Sequence, residues 1–119
     1  MRTSPPRSLP GLDIQDGLNR FSGNWDIYQR LLRYFTDFHT DDYLQLLEMS
    51  SSGVMDFDAL SALSHKIKGA AANLSATDLQ RRFQAIERSL QSGDPVAVRE
   101  DLAQAIESFT RLRDVISKL

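Results

Sequence analysis

The sequence predicts an all-α protein: an up-and-down antiparallel four-helix bundle with a short additional helix at its N-terminal end. Three observations carry this prediction. Apolar residues recur at helical spacing through four long segments, no segment shows a convincing strand pattern, and the connections between the later segments are short. Short connections favour antiparallel neighbours. At 119 residues the chain reads as one domain with a modest core. It has no cysteine, so disulfides, thiolate metal sites and cysteine nucleophiles drop out of consideration.

The elements follow in order. Residues 1–10 hold three prolines, two arginines and two serines without apolar periodicity, and read as a flexible lead-in or linker. Residues 11–119 are left as the folded domain. Asp13 caps a short helix from Ile14 to Arg20, which Gly17 weakens and Ser22-Gly23-Asn24 ends. A long helix from about Trp25 to Met49 carries the stripe Tyr28, Leu31, Leu32, Phe35 and Phe38, and Leu44, Leu46 and Leu47 extend its apolar content. Thr40-Asp41-Asp42 marks either a kink or a break in it, and Ser50 to Gly53 form a loop.

Asp56 caps the next helix, from about Phe57 to Leu74. Its buried face is Leu60, Leu63, Ser64, Ile67, Ala70, Ala71 and Leu74. Ser75-Ala76-Thr77-Asp78 reads as a capping box that opens a helix running to Gln91, with Leu79, Phe83, Ile86 and Leu90 inward. Gly93 suits the end of that helix, Asp94 the cap of the next and Pro95 its first turn. The last helix, to about Lys118, turns Val98, Leu102, Ala105, Ile106, Phe109, Leu112 and Ile116 to the core.

Composition narrows the function. A formal net charge of −2 argues against a nucleic-acid binder. No apolar run approaches the roughly 18 residues of a membrane span, and the N-terminus lacks a signal-peptide core. The chain therefore reads as cytoplasmic and monomeric, with no membrane insertion by this segment.

The segment from Ser64 to Leu74 carries the chemistry. On a helical wheel His65 lies about 160° from Ile67, nearly opposite the buried stripe, with Lys68 and Gly69 within about 60° of it. An exposed imidazole beside a cation and a missing side chain is a poor structural element and a good nucleophile for a phosphoryl group. Neutral imidazole is nucleophilic near neutral pH. Lys68 would meet the phosphoryl oxygens, while Gly69 and then Ala72 keep the surface low for an approaching donor. Lys66 points about 100° away and adds field only. Ser61 and Ser64 are both candidates to orient the ring. Among other residues, His39 reads as a surface or core-edge histidine, and Trp25 and Tyr28 as packing residues. Arg81 and Arg82 read as solvated, with a place at the edge of a docking face.

His65-Lys66-Ile67-Lys68-Gly69-Ala70-Ala71-Ala72-Asn73-Leu74 resembles the signature of histidine-containing phosphotransfer (HPt) domains: histidine, any residue, an aliphatic, lysine, glycine, then small residues and an aliphatic. The likeness extends to Leu9-Pro10-Gly11-Leu12-Asp13 with Gly17-Leu18, and to Leu79, Ile86-Glu87 and Ser92-Gly93-Asp94. Two positions depart from it: Ser75 stands where many members have glycine, and Ser64 where alanine is common. The resemblance implies a phosphorelay intermediate in which His65 accepts a phosphoryl group from one receiver-domain aspartate and passes it to another. Lys68 and Gly69 would assist, and Lys66, Ser61, Ala72, Arg81 and Arg82 would border the partner. It further implies receiver domains as partners, Mg²⁺ supplied by the receiver, and no cofactor, nucleotide or metal on this chain. The chain then stands as a free relay protein or as the C-terminal module of a hybrid sensor kinase, without kinase activity of its own. Two other readings compete: a non-catalytic helical adaptor, and the phosphoacceptor domain of a chemotaxis-type kinase. The dimerisation domain of a sensor kinase fits less well, because Lys66 follows the histidine and no proline occurs between His65 and Pro95.

Overall fold

The computed structural model describes residues 4–119, so Met1 to Thr3 of the expected lead-in lie outside the described residues. Six helices account for most of the rest: α1 (Ile14–Arg20), α2 (Trp25–Phe38), α3 (Thr40–Ser52), α4 (Phe57–Asn73), α5 (Thr77–Ser92) and α6 (Pro95–Ser117). There is no strand among the described residues.

Helix starts obey local capping chemistry. The side chains of Asp13, Asn24, Asp56 and Asp94 each accept a hydrogen bond from a backbone N–H in the first turn of the helix that follows. Pro95 opens α6, where its missing N–H costs nothing. Gly53 and Gly93 end α3 and α5 in the left-handed conformation.

Cross-helix bonds establish the antiparallel arrangement. Tyr43 and Arg113 link α3 to α6 through Thr110 and Thr40, and Arg82 and Ser89 of α5 meet Gln104 and Asp101 of α6. Lys66 of α4 reaches back to Asp42 of α3, while the Tyr28 hydroxyl donates to the Leu74 carbonyl at 2.7 Å. In each case partners later on one helix sit earlier on the other. α2 and α3 together act as one bent rod, giving four bundle positions: α2–α3, α4, α5 and α6. Their shared core contains Tyr28, Leu32, Phe35, Leu46, Leu60, Ile67, Phe83, Ile86, Leu102 and Phe109.

Four details differ from the sequence expectation. The long helix breaks, and does so at His39, which belongs to neither α2 nor α3. Helix α3 then continues through Ser50 to Ser52, so the expected loop shrinks to the residues from Gly53. Phe38 and Leu44, placed among the apolar residues of the long helix, are more than half exposed, because at about 100° per residue Phe38 lies off the buried row of Tyr28, Leu32 and Phe35, and Leu44 lies nearly opposite buried Leu46. Finally, the capping box at Ser75 does not form. Ser75 is left-handed (φ 56°) and terminates α4, with Ala76 N–H donating to Ala71 O and Ser75 N–H to Ala72 O. Its hydroxyl bonds Asp16 instead of capping α5, whose cap position is Ala76.

The N-terminal residues close the turn between α4 and α5. Asp13 N–H donates to Ser75 O, Asp78 N–H to Gly11 O, and Leu12 and Ile14 are buried. Leu9 pairs with Leu12 and packs on the core.

Candidate functional site

Helix α4 presents two faces of opposite character. Leu60, Leu63, Ser64, Ile67 and Ala71 are buried, with Leu74 completing the row at the cap and Ala70 half-buried at its edge. On the other side Ser61, His65, Lys66 and Gly69 are exposed, and Lys68 and Ala72 are half-buried. Ser61, His65, Gly69 and Ala72 lie within about 80° of one another around the helix axis, one row along its outer surface.

His65 is exposed, and among the described residues no side chain hydrogen-bonds its ring. Ser64 does not orient it: the hydroxyl is buried and has no partner among the described residues. His39, the other histidine, has the opposite surroundings. It is 4% exposed, packed on Phe35 and Phe38, and its Nδ1 lies 2.8 Å from the Asp42 carboxylate. The sequence expects a surface or core-edge histidine; the break at His39 instead turns the ring inward, where it is buried.

Gly69 sits mid-helix, where glycine costs roughly 1 kcal/mol against alanine. A Cβ built there would meet nothing within 4 Å among the described residues, so no packing among them requires the glycine. Gly17 is the contrast: a Cβ there would fall 2.2 Å from the Tyr28 ring. One glycine answers to the fold and the other to open space beside His65.

Both lysines near His65 are engaged. Lys68 Nζ lies 3.0 Å from Glu87 Oε2 on α5. Lys66 Nζ lies 2.9 Å from Asp42 Oδ2 on α3 and 5.6 Å from the centre of the Phe38 ring. Asp42 thus serves both His39 and Lys66. Burial works against its ionisation, but bonds from His39 and Lys66 outweigh it, and its carboxyl is held below the usual value. Phe38 in turn stacks on exposed Tyr34 (ring centres 5.6 Å apart), leaving an aromatic surface beside Lys66.

The arginines fall elsewhere. Arg82 bonds Gln104 of α6 and lies near Asp78; Arg81 is exposed and pairs with Asp78. Both are 120° or more from Glu87 around α5, by about 100° per residue. Hence the structure brings together His65, Lys66, Lys68, Gly69, Ser61 and Ala72, and leaves Arg81 and Arg82 apart. Sequence reasoning missed Asp42 and Glu87 as lysine partners. A signal existed: neither lysine has an acid three or four residues away on its own helix, so any counter-ion must come from another element.

Compared with protein families, the chain matches the Hpt domain over residues 30–119, well over half its length. The chain belongs to the Hpt domain family. Comparison with curated proteins and with solved structures found no match. As an Hpt domain it is assigned to histidine phosphotransfer in two-component signalling, where such domains interact with receiver domains. The match takes in all of α3 to α6 and most of α2, and with them both histidines. Among the described residues of this Hpt domain no helix is long and apolar enough to cross a membrane, and no three His, Cys, Asp or Glu side chains gather as a metal site.

Proposed function

We propose that this Hpt domain is a phosphorelay intermediate whose phosphoacceptor is His65. The observation that carries the reading is the contrast between its two histidines. His39 is buried and bonded to a carboxylate, whereas His65 stands exposed beside a glycine that leaves open space. A donor that is itself a protein domain needs that access.

In the proposed step a ring nitrogen of His65 attacks the phosphorus of a receiver's aspartyl phosphate. The P–N bond forms as the P–O bond breaks, and the receiver recovers its carboxylate. The reverse step onto a second receiver restores the free imidazole. Because an acyl phosphate is already activated, the chemistry asks no nucleotide or metal of this chain; Mg²⁺ in the receiver offsets the phosphoryl charge. Lys68 adds positive charge near the transferring oxygens. Ser61, Gly69 and Ala72 supply the low surface under the receiver, and the Tyr34–Phe38 pair beside Lys66 offers apolar area for docking. Arg81 and Arg82 border the partner only at a distance. The proposal includes a cytoplasmic, monomeric module, within a hybrid kinase or free.

The test is transfer from receiver domains charged with acetyl phosphate. The wild-type chain acquires acid-labile, base-stable phosphate, and His65→Gln abolishes it with the circular dichroism spectrum unchanged. Labelling retained in that variant refutes His65 as the acceptor, and no labelling of the wild type by any receiver supports an adaptor instead.

A further inference from the structure

The two ion pairs that flank His65 come from different helices and lie on opposite sides of α4: Asp42 of α3 holds Lys66, and Glu87 of α5 holds Lys68. We propose that Asp42 and Glu87 are positioning residues. Each carboxylate keeps one lysine as a counter-ion in the resting chain and yields it when the ring carries a phosphoryl group, so the pair sets how strongly His65 retains that group. The proposal rests on the phosphotransfer reading of His65.

Charge balance around the ring supplies the first argument. At rest two ammonium groups face two carboxylates, and the imidazole stands between two neutralised pairs with no bond of its own. A phosphoryl group brings roughly −1.5 to −2 charge. With both lysines committed, that charge is uncompensated; a lysine that swings to it exchanges a monoanionic partner for a stronger one.

Release is feasible because neither pair is locked. Each lysine makes a single contact to its carboxylate rather than a bidentate one, and both are at least one-quarter exposed. Asp42 retains its bond to His39 when Lys66 leaves, so its carboxylate is never stranded. Glu87 has no such reserve: its second oxygen is buried and lacks a partner among the described residues. Releasing Lys68 therefore costs more than releasing Lys66, although Lys68 lies closer to the face of His65 around the helix.

The test measures the equilibrium distribution of phosphoryl between this chain and an acetyl-phosphate-charged receiver that labels the wild type. Asp42→Asn and Glu87→Gln preserve shape and hydrogen bonding while removing the competing charge. Each is expected to move the distribution toward the phosphorylated chain by about three- to tenfold, the size of a partly screened single charge. Lys66→Ala and Lys68→Ala are expected to move it the other way. In the matching lysine-to-alanine background each amide variant loses most of its effect, because that effect runs through the lysine. Thermal melts by circular dichroism verify folding throughout.

An unchanged distribution in both amide variants overturns the proposal. So does a shift that persists in full without the lysine, which would mean a direct field of the carboxylate. Absence of any receiver-dependent label on the wild type overturns the phosphotransfer reading and this proposal with it. A labelled wild type with unresponsive variants overturns this proposal alone.

Discussion

Single atoms decide the contrast between this chain's glycines. Gly17 exists because Tyr28 occupies the space a side chain would need, whereas a side chain at Gly69 would meet nothing among the described residues. Gly69→Ala is therefore expected to raise stability by about 1 kcal/mol, the helix-propensity difference, in a urea melt. The same variant is expected to slow transfer from a receiver at least several-fold, since its methyl stands beside His65. A variant that is more stable and equally fast would remove the reason offered for this glycine. Ser64 makes a second residue-scale prediction. Its buried hydroxyl finds no partner among the described residues, so Ser64→Ala should stabilise the chain by about 1 kcal/mol without affecting His65. Loss of stability there would mean that the hydroxyl is satisfied after all.

At the scale of elements, the break between α2 and α3 does the most to shape the site. His39 leaves the helix, its ring turns into the core beside Phe35, and its Nδ1 meets Asp42 in the first turn of α3. That places Asp42 within reach of Lys66 on α4. Because the folded chain lowers the Asp42 carboxyl below its ordinary value of 3.8, the group binds fewer protons folded than unfolded near that pH. Its contribution is thus present above 3.8 and lost as pH falls through that value and below it. Asp42→Asn should flatten the acid limb of the stability curve over this window, read from urea midpoints between about pH 5 and pH 2. An unaltered limb would show that the carboxylate contributes nothing there. The end of α4 follows similar logic: Ser75 accepts a left-handed backbone usually left to glycine, while its hydroxyl ties Asp16 of α1 to the α4–α5 turn.

For the molecule as a whole, the family match begins at residue 30, yet the fold begins earlier. Leu12 and Ile14 are buried, and backbone bonds join Gly11 and Asp13 to the α4–α5 turn. Packing on the core therefore extends back to Leu9. Removing residues 1–8 should leave the melting temperature unchanged, while removing residues 1–23 should cost about 3 kcal/mol, from two buried aliphatic side chains. Equal melting of both truncated chains would show that α1 is dispensable.

Much of this was legible in the residues themselves. Helical periodicity, with Asp13, Asp56, Asp94 and Pro95 as boundaries, predicted the helices because capping and amphipathicity are local properties. The wheel around His65 predicted an exposed ring beside Lys68 and Gly69 for the same reason. The pattern at Ser75 suits a helix start or a left-handed stop equally, and contact with α1 decides for the second. The position of the break was ambiguous, because burial of His39 depends on Phe35 and Asp42 together. The partners of Lys66 and Lys68 lie 24 and 19 residues away in sequence. Local sequence therefore determined the helices and the outward face of His65. Only the packing of α3 and α5 against α4 decided which carboxylates neutralise the lysines beside it, because ion pairs between helices depend on register and not on spacing along one chain.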